Sequence, residues 1–133
     1  MTLDDLYQRG LALRQKLFGA DTVARRMDEL GTFGEPLQHI INAYSYGDIW
    51  SRPQLDMKAR SLAMVGITAT LNKPNELKVH VNGALNNGAS AEEVREVLLM
   101  VTLYAGLPCG IDAHKAALEV INARAQAPAA PAA

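Results

Sequence analysis

Glu76 and His80 stand four residues apart in Pro74-Asn75-Glu76-Leu77-Lys78-Val79-His80. On a helix that spacing sets a carboxylate and an imidazole on one face, one turn apart. A histidine beside a carboxylate exchanges protons near neutral pH, so the pair is a candidate acid/base device. Lys73, a turn earlier, brings a third titratable group to the same face. Spacing of this kind more commonly marks a surface pair on an amphipathic helix, so the surroundings have to decide. A metal site would need a third ligand that the sequence does not announce.

A second group of residues lies upstream, in Tyr46-Gly47-Asp48-Ile49-Trp50-Ser51-Arg52-Pro53. Tyr46 and Trp50 form an aromatic pair around Arg52, and Arg60 follows early in the next helix. Arginine can grip a carboxylate through two parallel hydrogen bonds. Equally, Trp50 could anchor the loop in the core while Arg52 pairs with Asp48 or Asp56. Two further histidines carry less: His39 beside the apolar Ile40-Ile41 stripe reads as structural, and His114 lies near Asp112 on the last helix. Cys109 follows Pro108 at a helix start, where a thiolate is favoured, although a lone buried cysteine is the commoner outcome.

Helix punctuation dominates the chain that must hold these groups. Leu3, Leu6, Leu13 and Leu17 recur among charges over residues 2–18, with a stop at Gly19. Asp21 is placed to cap a short helix ending near Gly31. Glu35-Pro36 opens another through Leu37, Ile40, Ile41 and Tyr44 to a stop at Gly47, before an irregular link from Asp48 to Leu55. Asp56 then caps a helix to about Leu71, apolar almost all round in its second half and so expected to be the buried central helix. Asn86-Asn87-Gly88 closes the Glu76–His80 helix, and Ser90-Ala91-Glu92-Glu93 is a capping box for the next. Gly106-Leu107-Pro108 breaks that one, and a last helix runs to about Arg124.

These signals predict an all-α bundle of about six or seven helices. Residues 1–124 are read as one domain and 125–133 as a disordered Ala/Pro tail. Thirteen basic against fourteen acidic residues, with no basic stripe, give nucleic-acid binding no support. The acidic, polar N-terminus is wrong for a signal peptide, and the apolar run Leu62 to Leu71 is too short to span a bilayer. A cytoplasmic location is the expectation. A single cysteine rules out an intrachain disulfide and any CxxC motif. Many short helices with apolar faces point to a homo-oligomer.

The ordered set Gly47-Asp48-Ile49-Trp50-Ser51-Arg52-Pro53, Arg60-Ser61-Leu62, Glu76-Leu77-xx-His80, Asn86-Asn87-Gly88 and Tyr104-Ala105-Gly106-Leu107-Pro108 resembles the γ-carboxymuconolactone decarboxylases. Gly10, Arg14 and Gly19 fit as well, so the resemblance covers about residues 5–123. It implies an all-helical, alkylhydroperoxidase D-like fold assembled into trimers or hexamers. It also implies decarboxylation of γ-carboxymuconolactone to the β-ketoadipate enol-lactone, in protocatechuate breakdown, without metal or organic cofactor. On that reading His80 donates a proton and Glu76 orients it and raises its pKa. Arg52 and Arg60 bind carboxylate, Trp50 and Tyr46 wall the ring, and Cys109 lines the substrate.

The redox branch of this superfamily carries Cys-x-x-Cys-x-x-x-His on the matching helix, where this chain has Lys73, Glu76 and His80. Disulfide chemistry is therefore closed to that helix, and a thiol-dependent antioxidant role through Cys109 is disfavoured. A reaction on a different lactone and a non-catalytic role in ligand binding are compatible with the same fold. The chain departs from the family pattern at Ala43, Tyr46, Asn82 and Cys109-Gly110-Ile111, and its late-helix histidine, His114, is displaced by one. Ala43 and Asn82 replace two cations, which bears on how a dicarboxylate would be held.

Overall fold

Seven α-helices, a 3-10 turn and a π-helical segment account for the regular structure of the described residues, 1–127 of a computed structural model. No strand occurs among them, so the expected all-α class holds. Helix α1 (Leu3–Phe18) opens on a reciprocal cap: Thr2 Oγ1 accepts from the Asp5 amide at 3.1 Å, and the Asp5 carboxylate accepts from the Thr2 amide at 2.9 Å. Two donors that a helix start leaves open are thereby satisfied. Gly19, at φ 93°, closes α1 and begins α2 (Ala20–Leu30). Asp21, expected as the cap, lies in the first turn of α2 instead, where its charge still suits the helix dipole.

After the 3-10 turn Thr32–Gly34, α3 (Glu35–His39) runs directly into the π-helical segment Ile40–Ile49. The stop expected at Gly47 is absent, because that glycine serves packing. A Cβ there would lie 2.1 Å from the Leu6 carbonyl oxygen, and one on Gly10 would lie 1.6 Å from the Asn42 carbonyl oxygen. Two missing side chains let α1 and the π segment meet backbone to backbone. The wider turn is visible in the 2.8 Å bond from the Trp50 amide to the Ser45 carbonyl, five residues back.

Asp56 caps α4 (Met57–Thr70) as expected, accepting from the Ala59 amide at 2.7 Å. Pro74 opens α5 (Pro74–Asn86), and Gly88 at φ 94° follows its end. The Ser90–Glu93 capping box starts α6 (Ala91–Ala105), and Gly106 at φ 103° separates it from α7 (Leu107–Gln126). Helix α7 takes in Ala125 and Gln126, two residues expected to belong to the tail. Ala127 caps that helix, and the rest of the expected tail, 128–133, lies outside the described residues. No helix among the described residues is long and apolar enough to cross a membrane.

The contacts divide the chain into two units, Met1–Arg60 and the part from Ser61 onward. In the first, α1 packs on α2 and along the π segment. Its inward face is Gly10, Arg14 and Leu17, so a cation takes a place in the stripe where Leu13 was expected. In the second, α5, α6 and α7 pack together around Leu77, Val81, Val94, Leu98 and Val120. Leu77 and Leu98 are fully buried, each contributing about 1.5–3 kcal/mol by leaving water. Helix α4 is not the buried helix its composition suggests. Val65, Thr68 and Ala69 face inward while Ala63, Ile67 and Thr70 are exposed, so one face of the helix is left uncovered.

Candidate active site

His80 occupies the inner stripe of α5, one turn after Leu77 and one before Ala84, and is 6% exposed. Glu76, in the first turn of the same helix, is exposed. The pair thus shares a helix and a turn but not an environment. Among the described residues Glu76 makes no hydrogen bond or ion pair, so any influence on His80 acts through space. A buried imidazole has the surroundings that a proton-transfer group needs: little competing water and a low local dielectric.

Cys109 lies in the first turn of α7 and is half-buried against the core of the same unit. Its thiol donates to the Ala69 carbonyl at 3.0 Å, an interaction that uses the protonated sulfur. Gly110 beside it is a packing residue, since a Cβ there would come within 2.0 Å of Thr102 Oγ1. His114 Nδ1 stands 2.7 Å from the Gly110 carbonyl, which makes that nitrogen the donor and fixes the tautomer. Asn82 accepts from Arg124 at 3.4 Å, and the same Nη1 reaches Asn86 Oδ1 at 2.9 Å.

In the first unit the π segment carries the aromatic pair. Tyr46 and Trp50 are both 7% exposed and stack at 5.2 Å with an interplanar angle of 23°. Trp50 therefore does anchor the loop, one of the two roles its sequence context allowed. Side chains take up the carbonyls freed at the end of the segment: Ser51 Oγ donates to Tyr46 O at 2.6 Å, and Arg9, on α1, donates to Gly47 O. Phe18 meets Tyr46 edge-on at 6.0 Å.

The two candidate carboxylate binders differ. The Arg52 guanidinium is exposed and pairs with neither Asp48 nor Asp56. Arg60 is half-buried and already employed: Nε donates to Leu55 O at 3.1 Å and Nη2 to Arg52 O at 2.9 Å. It braces the loop that displays Arg52. A cavity of about 580 Å³ in this unit is lined by Tyr7, Asp28, Glu35, Gln38 and His39, and not by the aromatic pair or Arg52. His39 stacks on Tyr7 at 5.6 Å, in keeping with a structural role.

The arginine set over the Tyr46 ring is Arg14, which sequence reasoning did not single out as a site residue. Arg14 is 5% exposed, donates to Gln38 Oε1 at 3.1 Å and Asn42 Oδ1 at 2.8 Å, and sets its guanidinium carbon 5.8 Å from the Tyr46 ring centre. Burial pushes its pKa down, with Tyr46 and Tyr7 opposing that shift and Arg26 adding to it. Guanidinium is so basic that it stays charged. The signal was present: Gly10, Arg14 and Leu17 fall on one helical stripe, and a cation on an apolar stripe asks for a reason. Among the described residues no group of three His, Cys, Asp or Glu side chains could hold a metal ion.

The family model described as the carboxymuconolactone decarboxylase family matches residues 35–127. A 4-carboxymuconolactone decarboxylase of Acinetobacter baylyi is 34% identical over 122 residues, 92% of this chain and 91% of that protein. The nitrosuccinic acid decarboxylase npaB of Metarhizium robertsii is 34% identical over 125 residues, 91% of this chain and 87% of that protein. An uncharacterized protein of Methanocaldococcus jannaschii is 33% identical over 73 residues, 55% of this chain and 68% of its own length.

Proposed function

The chain belongs to the carboxymuconolactone decarboxylase family, whose alkylhydroperoxidase D-like, all-α fold its helices share, and we propose that it is a carboxy-lyase needing no metal or organic cofactor. Its substrate is γ-carboxymuconolactone, converted to the β-ketoadipate enol-lactone in protocatechuate breakdown, or a closely related small acid. The observation that carries this reading is identity to a named decarboxylase along 92% of the chain. A buried histidine on α5, with Lys73 and Glu76 where the redox branch has thiols, agrees with it.

The chemistry assigns each residue a task. Breaking the bond to the leaving carboxylate releases CO₂ and sends the electron pair through the ring double bond onto the lactone carbonyl. The resulting oxyanion needs donors, and the α-carbon then needs a proton. His80 supplies that proton, with Glu76 one turn away on the same helix. Arg52 holds carboxylate on the loop that Arg60 braces, Tyr46 and Trp50 wall the ring, and Cys109 lines the substrate. The test is incubation with freshly generated γ-carboxymuconolactone while CO₂ and enol-lactone are followed. Wild-type turnover with loss in His80→Gln supports the assignment; full turnover in His80→Gln removes it.

Equal identity to a nitrosuccinic acid decarboxylase favours a second substrate. Loss of CO₂ beside a nitro group leaves the pair on the nitro oxygens, so the same cations and the same proton donor would serve. Ala43 and Asn82, which remove two cations from the lactone pattern, make this comparison worth running. Release of CO₂ from nitrosuccinic acid with none from the lactone would reassign the substrate and keep the enzyme class.

The proposal includes a homo-oligomer, a trimer or hexamer, in the cytoplasm. Supporting it, Ile67 on α4, Leu71 just past its end, and Met100, Leu103 and Tyr104 on α6 are exposed, Tyr104 at 82%. Several of them line an apolar groove of about 630 Å³ with Leu62, Gly66 and Val97. A face of that kind marks an interaction surface. Light scattering of the purified chain decides it, and a monomer at micromolar concentration sinks this part alone.

A further inference from the structure

Arg14 has no task in the proposed reaction, yet it is a buried cation on an apolar stripe. Both of its hydrogen-bond acceptors are neutral side-chain amides, and no carboxylate forms an ion pair with it among the described residues. Burying a charge without a counter-charge is expensive, and an apolar side chain would fill the position at lower cost. The groups in contact with the guanidinium are Gln38, Asn42 and Tyr46, while Tyr7 and Arg26 act on it electrostatically. Three of them, Gln38, Asn42 and Tyr46, follow one another at intervals of four along α3 and the π segment.

In a regular α-helix the first and last of three such positions would diverge by about 80° around the axis. Here α3 gives way to the π segment between them, and one guanidinium reaches all three: two through its N–H groups and the third through the ring face. Tyr46 then stacks on Trp50. We propose that Arg14 is a positioning residue for substrate binding, fixing the Tyr46 ring and through it Trp50, while touching no reacting atom itself. This rests on the reading that Tyr46 and Trp50 wall the substrate.

Lysine at this position keeps the charge and loses the fork; methionine keeps the length and loses both. Trp50 is the only tryptophan, so its emission reports the stack directly and without substrate. The experiment compares wild type, Arg14→Lys, Arg14→Met, Tyr46→Ala and the Arg14→Met/Tyr46→Ala double variant. It measures acrylamide quenching of Trp50 in free protein, then kcat and KM for whichever acid the wild type decarboxylates.

Arg14→Met is expected to increase quenching and to raise KM about tenfold with kcat changed less than about threefold, the worth of a desolvated cation–ring contact. Arg14→Lys should recover part of the loss in KM. Placed on Tyr46→Ala, Arg14→Met should add less than about twofold, because the partner it acts through is gone. Unchanged quenching in a folded Arg14→Met overturns the proposal, as does an equal loss in the Tyr46→Ala background. If the wild type turns over neither acid, the function fails separately, and quenching still decides the positioning. Should Arg14→Met fail to fold, Arg14→Lys and Gln38→Met carry the same comparison.

Discussion

Gly10 offers a test in which two physical effects have opposite signs. It lies in the interior of α1, where replacing glycine by alanine ordinarily stabilises a helix by about 0.5–1 kcal/mol through lost unfolded-state freedom. Here the added Cβ would sit 1.6 Å from the Asn42 carbonyl oxygen and 2.6 Å from both the Asn42 carbonyl carbon and the Gly47 amide nitrogen. Unstrained carbon contacts need roughly 3.5 Å, so the two backbones would have to separate by nearly ~2 Å. None of these atoms is the end of a flexible side chain. Overpacking of that kind costs about 3 kcal/mol or more, leaving a net loss of at least ~2 kcal/mol after the gain in helix propensity. For a chain of this size that is a fall in Tm of about 8 °C, against a rise of up to ~4 °C if propensity alone acted. The assay is thermal unfolding followed by circular dichroism at fixed protein concentration, with Trp50 emission recorded in parallel. Gly47→Ala, whose Cβ would meet the Leu6 carbonyl oxygen at 2.1 Å, should behave alike. An unchanged or higher Tm for either variant would refute the backbone-to-backbone contact and the explanation it gives for helix continuing through Gly47.

Further outcomes are expected from the same reasoning. His80→Gln should lower kcat by about 10²–10⁴, the usual contribution of a general acid, with little change in Tm; a kcat within twofold of wild type would exclude His80 as the donor. Arg52→Ala should chiefly raise KM if its exposed guanidinium binds substrate, and an effect confined to kcat would assign it to the transition state instead. Cys109→Ser should shift KM and leave kcat within about threefold, as a residue that lines the substrate without reacting would; peroxide-dependent activity that vanishes in this variant would revive the antioxidant role. Thr2 holds the Asp5 carboxyl below its usual pKa by backbone and side-chain hydrogen bonds. The stabilisation this brings is complete above the ordinary carboxylate pKa and is lost as pH falls through the lowered folded value. Hydrogen exchange in the first turn of α1 should therefore speed up on acidification, beyond its intrinsic pH dependence, in wild type but not in Asp5→Ala. Ser90→Ala should cost about 1 kcal/mol by removing the α6 cap, readable in the urea midpoint.

The sequence by itself determined the helical class, most of the boundaries and the family. Thr2, Asp56, Ser90, Gly19, Gly88 and Gly106 act on backbone groups within about four residues of themselves, so their effects can be read without knowing where the rest of the chain goes. The same locality placed Glu76 and His80 one turn apart on α5. What tertiary structure decided is which of them is buried: His80 is and Glu76 is not, because only His80 lies in line with Leu77 and Ala84. It also decided that α4 keeps an apolar face uncovered, that Arg60 braces a loop, and that Gly47 packs rather than stops a helix. Arg14 depends on it most. Its acceptors lie 24 and 28 residues away, on α3 and on a π-helical segment that no local propensity announces. Caps and turns are set by neighbours along the chain, whereas burial of a charge and close approach of two backbones are set by partners that only folding brings together.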